Sequence, residues 1–286
     1  MNDQKFALPR ITRCASFLFC GLFLIGTMTG VSSQRASADE PAKKLILPGE
    51  EFAVEGCQSF ILHPKDVQQQ GLRPWVFYAP TLPGLPDAHE KWMHEQFLQA
   101  GIAVAGIDVG EGYGSPRANR LFNAFYLEMT RNRGYASKPC LLGRSRGGLC
   151  VTNWAVANPD RVAGITGIYP VFDLRSYPGI AAAAPAYELT AEQLTIRLSE
   201  FNPIEQVAKL AEANIPVFLI HGDQDAVVPL KENSAAFVDR YQAANAGKMV
   251  KLVIAQSQGH NYWEGFFRCQ ELIDFTIERA RAGAEP

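Results

Sequence analysis

Short apolar runs alternate with longer segments of helical periodicity along most of the chain. Strands are predicted where apolar and β-branched residues follow one another, at residues 52–64 (one or two strands), 75–78, 102–109, 139–142, 162–171, 217–220 and 250–255. Helices are predicted where apolar residues recur at helical spacing, at residues 87–100, 117–132, 149–157, 203–213, 231–244 and 263–281. The alternation predicts an α/β fold, in which helices cover both faces of a mostly parallel central sheet.

Residues 173–201 interrupt this alternation. The segment contains Pro178 and Gly179, an alanine-rich stretch and a short helical pattern at 191–198. The sequence has no internal repeat and no sign of a second domain, so residues 39–286 are expected to form a single domain.

The composition is that of a globular protein with one sizeable core. Of the 286 residues, 47% are hydrophobic, and the formal net charge is only −2. Without a strong excess of basic or acidic residues, the chain gives no reason to expect nucleic acid as a partner.

The first 38 residues have the pattern of a cleaved signal peptide. Three basic residues lie near the start, an uncharged and largely apolar run covers residues 15–31, and an A-S-A sequence follows at 36–38. The alternative is a membrane anchor, but the run contains Gly, Ser and Thr and is short for a membrane span. Cleavage is therefore predicted, which makes the mature chain a secreted or periplasmic bacterial protein without a stable membrane partner.

Four cysteines remain after the predicted cleavage: Cys57, Cys140, Cys150 and Cys269. An exported protein permits disulfide bonds, and four cysteines allow three pairings, but burial as free thiols fits the sequence equally well. No pair has the spacing of metal ligands, so neither a metal nor another cofactor is expected.

The sequence G-R-S-R-G at residues 143–147 places Ser145 between a predicted strand and a predicted helix. Small residues are needed on both sides of the serine, because the chain reverses so sharply that a larger side chain would collide with the backbone. Such a turn presents the serine hydroxyl at the start of a helix, where a neighbouring base takes its proton. Ser145 is therefore the candidate nucleophile.

An acid and a histidine follow further along the chain. H-G-D-Q-D-A-V-V-P occupies residues 221–229 at the end of one predicted strand, and Q-G-H follows the strand at 250–255. The order serine, acid, histidine differs from the orders in chymotrypsin-like and subtilisin-like enzymes.

Together, the serine motif, the H-G-D-x-D-x-x-V-P sequence and the G-H pair resemble those of α/β-hydrolases, over residues 45–282. The H-G-D-x-D-x-x-V-P sequence, which contains the candidate acids, is similar to that of many esterases and prolyl-oligopeptidase-like hydrolases. The resemblance implies an α/β-hydrolase fold in which Ser145 is the nucleophile, His260 the general base and Asp225 the acid that orients the imidazole.

Some roles implied by the resemblance have alternatives. Asp225 is preferred as the acid because the acid of the similar families stands before x-x-V-P, but Asp223 and, more distantly, Asp173 are alternatives. His221 is expected to be structural. In α/β-hydrolases the cap commonly follows the sixth strand, so residues 173–201 are interpreted as a small lid, with a surface loop as the alternative.

An oxyanion hole requires two N–H donors. The first is expected to be the backbone N–H of Arg146, directly after the nucleophile. The second should follow the strand at 75–78, where the sequence departs from the usual H-G-G pattern. Pro80 has no N–H, so Thr81 is the candidate donor and Leu82 is next.

Side chains near these positions are candidates for substrate binding. Arg146 either holds an anionic substrate, by similarity to glucuronoyl esterases, or pairs with an acid such as Asp108 or Glu111. Glu111 and Tyr113 follow a predicted strand, at the edge where ligands bind in such sheets. Trp263 and its aromatic neighbours follow the predicted base and either line a pocket or belong to the core.

The sequence thus predicts an exported serine hydrolase that cleaves carboxylic esters, of small molecules or carbohydrates, through an acyl-enzyme. A prolyl-oligopeptidase-like peptidase is the nearest alternative, although 286 residues leave no room for that family's large N-terminal propeller. A non-catalytic binding protein on the same fold is a second alternative, but a scaffold does not require all three catalytic positions to be filled. A hydrolase with a cysteine nucleophile is excluded by Ser145.

Overall fold

The strands of the protein form one sheet in the computed structural model, which describes residues 44–65, 71–80, 82 and 84–285. In chain order, the eight strands of these residues are β1 (Gly49–Val54), β2 (Cys57–Leu62), β3 (Trp75–Ala79), β4 (Ala103–Ile107), β5 (Cys140–Arg144), β6 (Gly164–Ile168), β7 (Val217–Gly222) and β8 (Val250–Ala255).

The order of the strands across the sheet is β1-β2-β4-β3-β5-β6-β7-β8. β2 pairs antiparallel with β1 and β4, and all other neighbours are parallel. Because parallel strands end at the same edge of a sheet, the loops after β3, β5, β7 and β8 converge there. The predicted mostly parallel sheet is confirmed.

Helices cover both faces of this sheet, as predicted. In chain order, the α-helices of the described residues, including those of the cap after β6, are α1 (Lys91–Gln99), α2 (Pro116–Leu127), α3 (Gly147–Ala157), α4 (Ile180–Ala183), α5 (Ala191–Ile196), α6 (Leu198–Phe201), α7 (Pro203–Glu212), α8 (Ala236–Ala243), α9 (Glu264–Phe267) and α10 (Gln270–Ala282). α2, α3, α7 and α8 pack on one face, and α1, α9 and α10 pack on the other. Every residue of β3 is buried as a result, which explains the uninterrupted apolar sequence of this strand.

Alternate side chains of β3 fill the two halves of the core. Trp75 and Phe77 pack with α2 and α3. Val76 and Tyr78 pack with α1 and α10. The Phe77 ring centroid lies 4.7 Å from that of Phe122 in α2. This packing fixes the end of β3, from which the loop towards the predicted site begins.

The segment after β6 forms a small helical cap. It contains α4, α5, α6 and a short 3-10 turn at Ala184–Tyr187. Its apolar side chains form a cluster of their own with Leu149 of α3 and with Val228. The cap is therefore packed against the same helix that follows Ser145, and its role as a lid stays a prediction.

One predicted helix divides into two. The pattern over residues 263–281 corresponds to α9 and α10, which are separated by two residues. The break allows Phe266 and Phe267 to pack edge-on against Tyr169, with ring centroids 4.9 and 6.4 Å away. The aromatic residues of α9 thus contribute to the core beneath the loop that carries His260.

Cys140 and Cys150 lie on either side of the serine motif, and both are buried free thiols. Burial raises the pKa of each thiol to about 12. Neither group is a thiolate at neutral pH.

The predicted signal peptide, residues 1–38, lies outside the described residues. Within the described residues, no helix has both the length and the apolar character that crossing a membrane requires.

Candidate active site

Ser145 occupies a sharp turn between β5 and α3. Its φ of 51° is in the left-handed region, which a non-glycine residue adopts only where the surrounding structure holds it. A Cβ atom at Gly147 would lie 2.2 Å from the carbonyl oxygen of Ala79. A Cβ atom at Gly143 would lie 2.8 Å from a methyl group of Val151. Both glycines of the motif are therefore required by close packing.

Backbone hydrogen bonds attach this turn to the end of β6. The N–H of Ser145 donates to the carbonyl oxygen of Ile168 at 2.9 Å. The carbonyl oxygen of Ser145 accepts from the N–H of Val171, also at 2.9 Å. Ser145 is thus held by its main chain, and its hydroxyl is left to interact with other side chains.

The structure brings Ser145, His260 and Asp225 into one hydrogen-bonded chain. Ser145 Oγ lies 2.9 Å from His260 Nε2, and His260 Nδ1 lies 2.7 Å from Asp225 Oδ2. Because a carboxylate only accepts, Nδ1 carries the proton in the second bond and Nε2 is left to accept from the serine hydroxyl. This is the tautomer that a general base requires.

Several donors hold the Asp225 carboxylate. The backbone N–H groups of Val227 and Val228 donate to Oδ1 at 3.0 and 2.8 Å, and His221 Nε2 lies 3.4 Å from Oδ2. Burial alone would raise the pKa of Asp225, but the hydrogen bonds, from His221 and His260 above all, hold it well below its usual range. Asp225 is therefore ionised at neutral pH.

His221 supports this acid from the end of β7. Its side chain is fully buried, with Nδ1 2.8 Å from the Ser234 hydroxyl and Nε2 2.8 Å from the Val228 carbonyl oxygen. Because a carbonyl only accepts, Nε2 carries the proton, which also faces Asp225. His221 thus has the structural surroundings expected of it.

The alternative acids lie elsewhere. Asp223 is exposed. Asp173 forms an ion pair with Arg175 at 2.9 Å and accepts from the side-chain amide of Asn202 at 2.9 Å. Of the three candidate acids, Asp225 is the one that contacts the imidazole.

The backbone of Arg146 and its side chain have different surroundings. It stands at the N-terminus of α3, where the first N–H groups have no acceptor within the helix and the helix dipole favours negative charge. Its guanidinium pairs with Glu111, one of the two acids expected from the sequence, and lies 5.7 Å from the centre of the Tyr177 ring. The side chain of Arg146 thus forms a partly exposed ion pair.

Glu111 and Tyr113 line a narrow crevice next to Arg146. Burial, together with a hydrogen bond to Glu111, raises the pKa of Tyr113 to about 12, so the phenol stays protonated. Tyr187 of the cap donates to the carbonyl oxygen of Tyr113 at 2.7 Å. These residues connect Arg146 to the cap, and their part in substrate binding stays a prediction.

A pocket of about 230 Å³ is lined by Ser145 and His260. Its other lining residues are Pro80, Leu85, Arg144, Arg146, Tyr169, Asn261 and Tyr262. Three larger depressions of the described surface, of about 440, 530 and 580 Å³, are lined by neither Ser145 nor His260. The described residues include no group of three or more His, Cys, Asp or Glu side chains that could hold a metal ion.

Of the aromatic residues after His260 that were predicted either to line a pocket or to belong to the core, one lines this pocket. Trp263 is not among the lining residues, because its ring covers Gly265 and packs edge-on against Phe266. Tyr262 takes that place: it is 57% exposed and stacks on His89 with ring centroids 4.2 Å apart.

The loop after β3 carries the predicted second oxyanion donor. Thr81 lies outside the described residues, so its assignment stays a prediction. Its neighbour Pro80 lines the pocket beside Ser145.

Two side chains of the site were not predicted. The ring centroid of Tyr169 lies 4.4 Å from that of His260, and Arg144 Nε donates to the Tyr169 hydroxyl at 3.2 Å. Arg144 is only 6% exposed although it directly precedes the nucleophile. The sequence did indicate that Arg144 is paired, because an arginine at the end of a buried strand requires a nearby acid. It did not indicate which acid.

Hydrolases of known structure share this fold. A puromycin-hydrolyzing peptidase of Mycobacterium tuberculosis is 16% identical, with a TM-score of 0.60, over 82% of this chain and 39% of its own. Dipeptidyl peptidase 4 of Porphyromonas gingivalis is 16% identical, with a TM-score of 0.64, over 81% and 35% of the two chains. Est1E of Butyrivibrio proteoclasticus is 18% identical, with a TM-score of 0.61, over 81% and 98%. The fold is that of the α/β-hydrolases.

This chain spans less than two fifths of the two peptidases, at 39% and 35%, but nearly all of Est1E, at 98%. No curated protein sequence matches it. Residues 125–275, just over half of the chain, match the prolyl oligopeptidase family. The chain therefore belongs to this family.

Replacing Asp225 by Asn should destabilise the protein most at neutral pH. The lowered pKa of Asp225 stabilises the folded state above the unfolded-state value of 3.8, and this contribution is lost as the pH falls below that value. At pH 7, the free energy of unfolding of Asp225→Asn should be about 1.5–3 kcal/mol below that of the wild type, the range for a hydrogen bond to a charged group. Urea unfolding at pH 7 and pH 3 measures the difference, which should shrink at pH 3.

The exposed residue Asp223 provides the control for this comparison. Asp223→Asn should unfold like the wild type at both pH values, to within about 0.5 kcal/mol. A deficit of Asp225→Asn that stays constant or grows between pH 7 and pH 3 would contradict the assignment of a low pKa to Asp225.

Proposed function

We propose that the protein is an exported serine hydrolase that cleaves carboxylic esters through a covalent acyl-enzyme. The observation that carries the proposal is the hydrogen-bonded chain from Ser145 through His260 to Asp225, next to an open pocket. Each group has the protonation state and the partner that nucleophilic catalysis requires.

In the first step, the ester carbonyl is attacked by Ser145 Oγ. His260 Nε2, 2.9 Å away, takes the hydroxyl proton as the new C–O bond forms. The imidazolium that results is stabilised by the Asp225 carboxylate on its other nitrogen. The carbonyl oxygen becomes negatively charged in the tetrahedral intermediate.

This oxyanion needs donors that are already in place. The backbone N–H of Arg146 at the start of α3 is the first, and the helix dipole adds favourable electrostatics. The second donor is assigned to Thr81 on the sequence prediction alone. Losing one such donor typically lowers the rate by about a hundredfold to a thousandfold.

The intermediate collapses when His260 gives its proton to the leaving alkoxide. The alcohol departs, and the acyl group remains bound to Ser145. A water molecule then repeats the sequence, with His260 again accepting and returning a proton, so that the carboxylic acid is released and the serine hydroxyl is restored.

The lining of the pocket supports a small ester rather than a peptide. The guanidinium groups of Arg144 and Arg146 are already paired with acids, and the Asn261 amide donates to Gln258 at 3.3 Å. The other lining residues away from the catalytic pair are Pro80, Leu85, Tyr169 and Tyr262. A pocket of about 230 Å³ with this apolar and aromatic surface suits a small acyl group or the face of a sugar ring.

A peptidase is the second candidate function. The family match favours it, since the family is named for an oligopeptidase, and the same triad chemistry cleaves amides. The two candidates differ in the leaving group that His260 has to protonate, which makes a direct comparison of esters with amides decisive.

The mature enzyme should hydrolyse p-nitrophenyl acetate, acetylated xylan or methyl glucuronate with a higher kcat/KM than proline p-nitroanilide. Ser145→Ala should lower kcat on the preferred ester by about 10⁴- to 10⁶-fold, because the triad acts as a unit. Release of p-nitrophenol, acetate or methanol measures turnover.

Ser59→Ala is the control for the loss of a serine hydroxyl, because Ser59 is fully buried in β2, away from the site. It should retain the turnover of the wild type. A higher kcat/KM on the amide than on the esters would favour a peptidase over an esterase. Equal turnover in Ser145→Ala would overturn the serine mechanism, and no turnover in the wild type would favour a binding protein.

Export is proposed from the pattern of residues 1–38 alone. Full-length protein made in a bacterium should reach the periplasm or the medium, and its mass should be that of a chain beginning at Asp39. A full-length protein that stays in the cytoplasm with residues 1–38 attached would contradict export.

A further inference from the structure

Arg144 is a buried cation immediately beside the nucleophile, and it has no part in the chemistry proposed above. It is the last residue of β5, and its side chain is only 7% exposed. Placing a guanidinium in such surroundings is costly unless every donor is used. The partners of Arg144 therefore indicate why the site contains it.

The first partners belong to the loop after β3. Arg144 Nη1 lies 2.7 Å from Glu90 Oε2 and 3.0 Å from Asp87 Oδ2. Glu90 is fully buried and also accepts from the Tyr78 hydroxyl, at 2.8 Å, and from the Asp87 N–H, at 3.1 Å. These bonds join Asp87 and Glu90, just before α1, to the end of β5.

A further hydrogen-bond partner is Tyr169, next to the general base. Arg144 Nε donates to its hydroxyl at 3.2 Å. The Tyr169 ring lies against the His260 imidazole, with centroids 4.4 Å apart, and its backbone N–H donates to Ile220 at 2.8 Å. Tyr169 is therefore held at both ends, and it restricts one side of the imidazole.

We propose that Arg144 is a positioning residue, which aligns the general base with Ser145 through Tyr169. Its planar guanidinium reaches the acids Asp87 and Glu90 through one nitrogen and Tyr169 through another. The inference rests on the proposed function, since it assigns a role in alignment to a residue beside the proposed nucleophile.

A lysine could not make the same contacts. The ammonium group is a single point of charge at the end of a flexible chain, whereas the guanidinium holds its donors in a rigid plane. Burial raises the pKa of Glu90, and the charge of Arg144 opposes that rise. Arg144→Lys keeps this opposing charge but gives up the simultaneous bond to Tyr169, so it tests geometry separately from charge.

The experiment compares Arg144→Lys, Tyr169→Phe and the double variant. The rate of inactivation by a fluorophosphonate and kcat on the preferred ester should both fall in Arg144→Lys, by about tenfold to a hundredfold, the scale for a misplacement near 1 Å. Tyr169→Phe should lower both rates to a smaller extent while KM stays nearly constant. The double variant should be no slower than Arg144→Lys, because both substitutions interrupt the same chain of contacts.

Tyr241→Phe is the matched control, because Tyr241 is another fully buried tyrosine, whose hydroxyl donates to Ile215 at 3.0 Å away from the site. It should lower the unfolding temperature without changing the inactivation rate. A purely structural role for Arg144 predicts the same for Arg144→Lys, and that result would overturn the proposal. So would losses in the double variant that multiply.

Two further outcomes, misfolding of Arg144→Lys and a wild type that is not labelled, each have a defined consequence for the proposal. If Arg144→Lys does not fold, Tyr169→Phe carries the test: an inactivation rate equal to that of the wild type overturns the proposal, and a reduced rate with the stability of Tyr241→Phe supports it. If the wild type itself is not labelled on Ser145, both the proposed function and this inference fail. A labelled wild type with an unaffected Arg144→Lys removes only the inference.

Discussion

The close approach between the turn at Ser145 and the end of β3 determines where the other groups of the site lie. A side chain at Gly147 would collide with the carbonyl oxygen of Ala79, so glycine is needed for the two segments to meet. The approach brings the start of α3 against the loop that begins at Pro80. An oxyanion hole made from these two segments depends on that contact, as does the exposure of the serine hydroxyl at the sheet edge.

Two buried charges border this turn, and they are stabilised in different ways. Asp225 receives backbone N–H groups and two imidazoles, so its charge is satisfied almost entirely by fixed donors. Arg144 instead pairs with Glu90 and Asp87, and a buried pair of this kind is weak evidence for stability because desolvation offsets much of the attraction. We attribute the presence of Arg144 to the geometry that it imposes on neighbouring groups.

Much of the fold and the central part of the site could be read from the sequence. The strands were visible because β3, β5, β6 and β7 are buried on both faces and are therefore mostly apolar. Ser145, Asp225 and His260 could be proposed because their motifs resemble those of α/β-hydrolases and because each follows a predicted strand of a parallel sheet.

The supporting contacts could not be predicted, because they join residues that no local pattern connects. Glu90 and Arg144 are 54 positions apart, and Tyr169 approaches His260 only once β6 and the loop after β8 have folded. The choice between Trp263 and Tyr262 depended on which way the chain turns before α9, since adjacent residues point to different sides. The spacing of residues along the sequence determines neither these long-range contacts nor which of the two aromatic residues lines the pocket.

The most direct test of the proposed mechanism is a crystal structure of the enzyme after reaction with a fluorophosphonate, which mimics the tetrahedral intermediate. We predict phosphorus bonded to Ser145 Oγ, a phosphoryl oxygen about 3 Å from the backbone nitrogen of Arg146, and His260 still bonded to Asp225. The second donor to that oxygen would be visible in the same structure. Phosphorus bound to another residue, or a phosphoryl oxygen directed away from Arg146, would contradict the mechanism.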